Sequence, residues 1–217
     1  RRWGISTGVV GRPARMPSAS VLGDRASGSS LLQKGRNDTH PDDGIQQTLS
    51  QSLDLVNQAV ECCHAKAIPL LGLGVALPGT VDLEQRRLVF APNLHWRDVP
   101  LHEFFSKHTG LKVFIENDAN AAAVAAHLFG AARKSQNFIY VFAGVGIGGG
   151  LFLNGKLQRG NNGYAGEIGH APIVMGSQQR ACHCGNFGCW ETYANQGAIL
   201  QQVGSRITDR PDSLIHR

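Results

Sequence analysis

Three of the chain's five cysteines fall in one short stretch, Cys182-x-Cys184-x4-Cys189, and eleven residues separate the first of them from His170. Three thiols this close cannot all be disulfide-bonded to one another, and Gly185 and Gly188 suit a tight knuckle rather than a strand. Three thiolates and one imidazole make a closed tetrahedral zinc site, which keeps no open position and is therefore structural. The spacing departs from a paired CxxC…CxxC finger, and the plainer alternative is a set of free cysteines beside a core histidine. On either reading the stretch 161–191 is the most constrained part of the chain.

A length of 217 residues allows one large domain or two small ones and is enough to bury a sizeable core. No run of eighteen apolar residues occurs, so no membrane span is expected. Cysteines grouped in a metal-like knuckle argue for a reducing compartment and a cytoplasmic protein. Cys62 and Cys63 lie in a helical pattern and are most simply core or surface thiols. The net charge of +5 is uneven, because residues 1–36 hold seven Arg or Lys against Asp24 alone, leaving the remainder at −1. An Arg- and Ser-rich, acid-poor start can be a nucleic-acid arm or a transit peptide. With neither aromatic interleaving nor helical periodicity, the plain reading is a loosely ordered terminus.

Along the chain, 3–10 is a strand candidate and 11–20, rich in Arg and Pro, reads as coil. Residues 21–23 and 30–32 make a weak hairpin around Ser27-Gly28-Ser29. Pro41, Asp42 and Asp43 resemble a first helical turn, with the acids at the positive end of the dipole. Ile45, Leu49, Leu53, Val56, Val60 and Cys63 then recur at helical spacing, one apolar face of a helix running to Lys66. The apolar run 68–77, stopped by Pro78-Gly79, reads as a buried strand. Further strands are expected at 87–90, 111–116 and 138–142, and helices at 101–108 (ended by Gly110), 119–129 and 191–207. Asn154-Gly155 should turn a hairpin between 151–153 and 156–158. Strands alternating with helices predict a mixed α/β sheet.

Asn117 and Asp118 stand where a strand hands over to a helix, the edge of an open α/β sheet where ligands collect. A carboxylate there can accept a hydroxyl proton during phosphoryl transfer; the simpler alternative is that both residues cap the helix. The glycine run from Gly144 through Gly146, Gly148 and Gly149 to Gly150 would let backbone amides approach phosphate closely, and a tight turn explains it equally well. Glu167 precedes His170 by three residues and can present its carboxylate to the same cavity while the histidine binds metal. Glu191 can be read alternatively as a first-turn helix acid.

Five ordered motifs over about 70–200 carry a family resemblance: GVALPGTVD, APNLHWRDVPL, FIENDANAAA, GVGIGGG, and AGEIGH with CHCGNFGCWETYAN. Together they resemble the ROK family, the sugar kinases and sugar-responsive repressors of bacteria. The resemblance implies an actin-like, ribonuclease-H-like two-lobed α/β sugar kinase fold with mixed sheets. On it the first lobe is expected over 1–114 and the start of a second, incomplete lobe over 115–217. It also implies sugar-hydroxyl contacts from Asn117, Asp118, Glu167, His170 and Glu191, with Gly79 and Asn93 beside the same pocket. Structural zinc on His170, Cys182, Cys184 and Cys189 would brace Glu167 and Glu191. Gly144, Gly146, Gly148 and Gly149 match nucleotide-binding positions, with ATP and Mg2+ implied only for a kinase, whose general base would be Asp118.

Two departures matter. Where the family's kinases are similar to an Asp-x-Gly-Gly-Thr loop, this chain reads Gly4-Ile5-Ser6-Thr7-Gly8, with Ser6 in place of the acid. Where they resemble GTGxGGG, Val145 replaces the threonine hydroxyl. Sugar-contact positions are kept while two nucleotide-contact positions are lost. The wording of CGNFGCWE and PNLHWRDV is closest to the xylose- and N-acetylglucosamine-type repressors. The expectation is thus the sugar-binding, homodimeric effector part of a regulator, meeting DNA only through a helix-turn-helix that is not in this chain. An ATP-dependent hexose or amino-sugar kinase is the alternative, and a degenerate fragment held together by its zinc knuckle is a third.

Overall fold

The computed structural model describes residues 6–8, 18–25, 28–36, 44–68 and 70–208, with side chains described from residue 44 onward except those of Asn93 and Thr208. Strands β1 (Ser6–Gly8), β2 (Ser18–Arg25) and β3 (Gly28–Arg36) precede the long helix α1 (Gly44–Ala65). Then come β4 (Leu73–Leu77), β5 (Thr80–Asp82), β6 (Arg87–Ala91), β7 (Trp96–Val99), α2 (Leu101–Thr109), β8 (Val113–Asn117) and α3 (Asp118–Leu128). The last elements are β9 (Phe138–Ala143), β10 (Ile147–Leu153), β11 (Lys156–Gln158), α4 (Glu191–Ala194) and α5 (Gln196–Thr208). One sheet has the order β3-β2-β1-β4-β8, a second β5-β6-β7 and a third β11-β10-β9. β4 and β8 run parallel, whereas β2 and β3 are antiparallel, so the sheet is mixed.

By internal packing the chain divides into two compact units: Arg1–Tyr140 with Gly150–Gly166, and Val141–Gly149 with Glu167–Arg217. The core of the first joins Leu73, Val75 and Leu77 of β4 to Val113 and Ile115 of β8, Leu49 and Val56 of α1, and Leu101 and Phe105 of α2. Leu88, Trp96 and Val99 extend this core from the β5-β6-β7 sheet. Ile45, Leu53 and Val60 pack against it half-buried, so the apolar face read from the spacing of α1 is the face that meets the sheet.

Several local expectations change. The run 68–77 is a strand only from Leu73: Leu71 is 90% exposed, and β4 alternates buried and half-buried positions because just one of its faces meets the core. The hairpin at 21–32 is present and longer, as β2 and β3, so Ser18, Ala19 and Ser20 are strand rather than coil. The helix expected over 191–207 breaks at Asn195, which is extended and whose Oδ1 caps α5 by accepting the Ala198 N–H at 2.8 Å. Gly148, Gly149 and Gly150 lie inside β10, leaving only Gly144 to Gly146 as a turn. Strands β5 and β7 are not anticipated by any sequence pattern. The first-turn reading of Pro41, Asp42 and Asp43 falls outside the described residues, as do 3–5, 9–10 and 11–17 of the first strand and coil.

Candidate functional site

In the first unit, β8 ends and α3 begins at a single corner. Asn117 is the N-cap of α3, with Oδ1 accepting the Asn120 N–H at 3.0 Å and Nδ2 donating to the Gly79 carbonyl at 3.0 Å. The side-chain cap therefore belongs to Asn117 and ties the corner to the turn after β4. Gly79 has φ +106°, and a Cβ there would run into the Phe90 carbonyl and Ala91, so only glycine brings this carbonyl within reach of Asn117. Asp118 is the first residue of α3, and its Oδ1 accepts the Ala119 N–H at 2.8 Å. Burial, reinforced by the negative charge of Asp118, pushes the Tyr140 phenol above its ordinary value. Asn93 lies in a short 3₁₀ turn, Pro92–Leu94, between β6 and β7.

The second unit holds Gly144, Gly146, Gly148, Gly149, Glu167, His170, Cys182, Cys184, Cys189 and Glu191. Its knuckle is shaped by backbone bonds, the Cys182 N–H to the Asn186 carbonyl at 2.8 Å and the Gly185 N–H to the Cys182 carbonyl at 3.0 Å. A short bridge between Pro172 and Cys189 brings the third cysteine back towards the segment after His170. The ligand atoms of His170, Cys182, Cys184 and Cys189 all lie within 4.8 Å of one another. His170 Nδ1 is 3.6 Å from Cys182 Sγ, and Cys184 Sγ is 3.8 Å from Cys189 Sγ. A tetrahedral metal at about 2.3 Å from sulfur and about 2.0 Å from nitrogen sets S···S edges of about 3.8 Å and N···S edges of about 3.5 Å. Two of the six edges match such an ion, and the four ligand atoms, all within 4.8 Å of one another, would close on it by about 1 Å at the widest.

His170 also turns its other ring nitrogen, Nε2, to within 3.8 Å of Glu167 Oε2. A carboxylate behind a metal-binding imidazole fixes the ring orientation. Burial raises the Glu167 carboxyl above the usual carboxylate range, with His170 opposing and Glu191 adding to the rise. Burial likewise pushes the Cys182 thiol up to about 12, against a lowering backbone hydrogen bond from Cys184. Glu191, the first residue of α4, is only 7% exposed, and its Oε2 accepts the Ile147 N–H at 2.8 Å. Gly169 lies against the Ile147 carbonyl, where a Cβ would collide, and the Gln196 N–H donates to the Gly144 carbonyl at 2.7 Å. The glycine turn 144–147 is thus hydrogen-bonded to α4 and α5 and packed closely against Gly169. Ile147 and Gln196 carry no signal in sequence, because both act through the backbone.

A family model described as the ROK family matches residues 26–215. The chain belongs to the ROK family. Among ROK relatives, the xylose repressor of Bacillus spizizenii (strain ATCC 23059 / NRRL B-14472 / W23) is 38% identical over 154 residues, 71% of this chain and 39% of that protein. The glucokinase of Halalkalibacterium halodurans is 30% identical over 212 residues, 98% of this chain and 62% of that protein. A solved ROK family glucokinase from Streptomyces griseus, in complex with glucose and AMPPNP, superposes with a TM-score of 0.71 at 33% identity, covering 84% of this chain and 56% of that one. The chain spans less than two thirds of the length of these curated relatives. Its fold is that of the ROK sugar kinases, the actin-like ATPase fold. Among the described residues, no helix is long and apolar enough to cross a membrane.

Proposed function

We propose that this ROK chain is the sugar-binding, effector-sensing part of a transcriptional regulator, braced by a structural zinc ion. The observation that carries this reading is an asymmetry among the candidate residues, each taken within its own unit. The Asn117 corner and the His170–Cys182–Cys184–Cys189 set are both assembled, whereas the glycine turn presents Val145, an apolar side chain without a hydroxyl for phosphate or magnesium. Asn117, Asp118, Glu167, His170 and Glu191 are the proposed contacts to sugar hydroxyls, with Gly79 and Asn93 beside them. Carboxylates and amides suit a polyol because each takes paired hydroxyls with defined geometry. Zinc would be held by His170, Cys182, Cys184 and Cys189, a closed sulfur-rich set, and would supply rigidity rather than a reacting centre.

A second reading, an ATP-dependent hexose or amino-sugar kinase, is favoured by one feature: Asp118 keeps a carboxylate at the strand–helix corner of a fold shared with a glucokinase. In that case Asp118 would accept the proton of the attacking sugar hydroxyl. The test is ADP release from magnesium-ATP across a panel of hexoses, pentoses and amino sugars, with Asp118→Asn alongside. Sugar-dependent turnover lost in the variant makes the chain a kinase. Absent turnover, a sugar-induced rise in Tm supports the effector reading, and no rise for any sugar defeats it.

A further inference from the structure

Glu116 is the penultimate residue of β8, directly before the Asn117 corner, and its carboxylate is fully engaged. Oε1 accepts the Asn117 N–H at 3.1 Å and Asn120 Nδ2 at 3.3 Å. Oε2 accepts Nε and Nη2 of Arg159, at 2.9 and 2.6 Å. The pair is half-shielded, the side chains being 21% exposed for Glu116 and 40% for Arg159. Asn120, the amide on Oε1, is 4% exposed. Arg159 follows β11 and opens the loop through Gly160 and Gly163, which closes on itself as the Ala165 N–H donates to the Arg159 carbonyl at 3.0 Å.

We infer that the Glu116–Arg159 pair is a positioning device for the proposed sugar contacts Asn117 and Asp118. The inference rests on the sugar-contact reading of those two residues. A carboxylate at the end of a strand can rotate, and Asn120 depends on this corner twice, its backbone N–H on the Asn117 Oδ1 cap and its side-chain amide on Glu116 Oε1. The side-on guanidinium fork removes that freedom, because a charge-assisted pair on Oε2 orients the carboxyl plane and aims Oε1 at Asn117 and Asn120. The backbone N–H of Asn117 and the side-chain amide of Asn120 are then held before any ligand arrives, which lowers the ordering cost of binding. Neither Glu116 nor Arg159 is among the proposed sugar contacts. Both act through Asn117.

The variants Arg159→Met, Arg159→Lys, Glu116→Gln and the double Glu116→Gln/Arg159→Met test this in the full, metal-loaded chain. Sugar affinity is read by calorimetry with the sugar giving the largest thermal shift, alongside amide hydrogen exchange at Asn117 and Asn120 and metal content. Arg159→Met should weaken sugar binding about tenfold and speed exchange at both amides, with metal content unchanged. The double variant should be no worse than the worse single one, as expected for two residues acting as one unit. Arg159→Lys should restore part of the affinity, retaining charge without the fork. If Arg159→Met proves unstable, Arg159→Lys with slowed exchange relative to Met still supports the device. Binding within about twofold of the parent with unaltered exchange overturns it. Should the parent chain bind no sugar at all, the sugar-contact reading falls, and the exchange data alone decide: faster exchange at Asn117 and Asn120 keeps the clamp, unaltered exchange removes it.

Discussion

Glu191 accepts the backbone N–H of Ile147 through Oε2 at 2.8 Å, a buried hydrogen bond between residues 44 apart in sequence. It joins the first turn of α4, which follows the last cysteine of the knuckle, to the glycine turn that opens β10. One carboxylate oxygen is thereby committed to the protein's own backbone.

Removing that oxygen leaves a buried amide without a partner. Glu191→Ala should cost about 1–3 kcal/mol in chemical denaturation. Glu191→Gln, which keeps a carbonyl oxygen able to accept from Ile147, should cost less. Faster amide exchange at Ile147 in the alanine variant locates the effect; equal stability of the alanine variant and the parent would refute it.

Gly169 makes a steric prediction. A methyl group there meets the Ile147 carbonyl, a backbone atom that cannot swing aside. Gly169→Ala should therefore destabilise by about 1–3 kcal/mol, the range of an overpacked core. The control is Gly204→Ala in α5 of the same unit, where a Cβ meets open space and alanine suits a helix better than glycine. A folding midpoint for Gly169→Ala equal to the parent's would mean that the 169–147 contact is looser than it stands here.

Metal removal should be visible directly. One zinc per chain is expected by elemental analysis, and Cys184→Ser should lose it together with the order of the knuckle. Full zinc in that variant would mean that the ligand set is wrong. The sign of the pH dependence follows from the Cys182 thiol, pushed up to about 12 by burial. Without metal this thiol stays protonated near neutrality, so metal uptake must release its proton, and apparent affinity falls as pH falls. A competition titration from mildly acidic to mildly alkaline pH that shows no such slope would contradict a thiolate-bound ion.

Phe105 is fully buried and meets Phe104 edge to face, with ring centroids 5.2 Å apart. Phe105→Ala should cost about 3–5 kcal/mol from lost burial and a cavity between α2 and the sheet. Because this residue lies in the first unit's core, metal content should be unchanged in any fraction that remains folded.

How far these features could be read beforehand depends on what carries them. α1 was legible because its apolar spacing matches a buried helical face, and α2 because Gly110, at φ +67°, closes it in the left-handed region. The β10–β11 hairpin was legible because Asn154 and Gly155 both take positive φ, the conformation their residue types tolerate. β7 was not legible, since four residues with exposed Arg97 and Asp98 at their centre offer no periodicity. Among the candidate residues, the grouping of His170 with the three cysteines was written in residue types and spacing, and the cap at Asn117 in its position after a strand. The Ile147 amide and Gln196 amide were invisible because every residue but proline has one. Glu116 and Arg159 give no signal, because nothing in sequence pairs two charges 43 residues apart.

The interleaving of the two compact units has a practical consequence for protein engineering. The chain crosses from one unit to the other after Tyr140, after Gly149 and after Gly166. No single truncation point therefore yields either unit intact, and a cut at any crossing divides β9 or β10 or parts the loop after Arg159 from Glu167. Isolating the cysteine-rich unit for study calls for an internal deletion that joins 141–149 to 167–217 through a linker, not for a cut at one end alone.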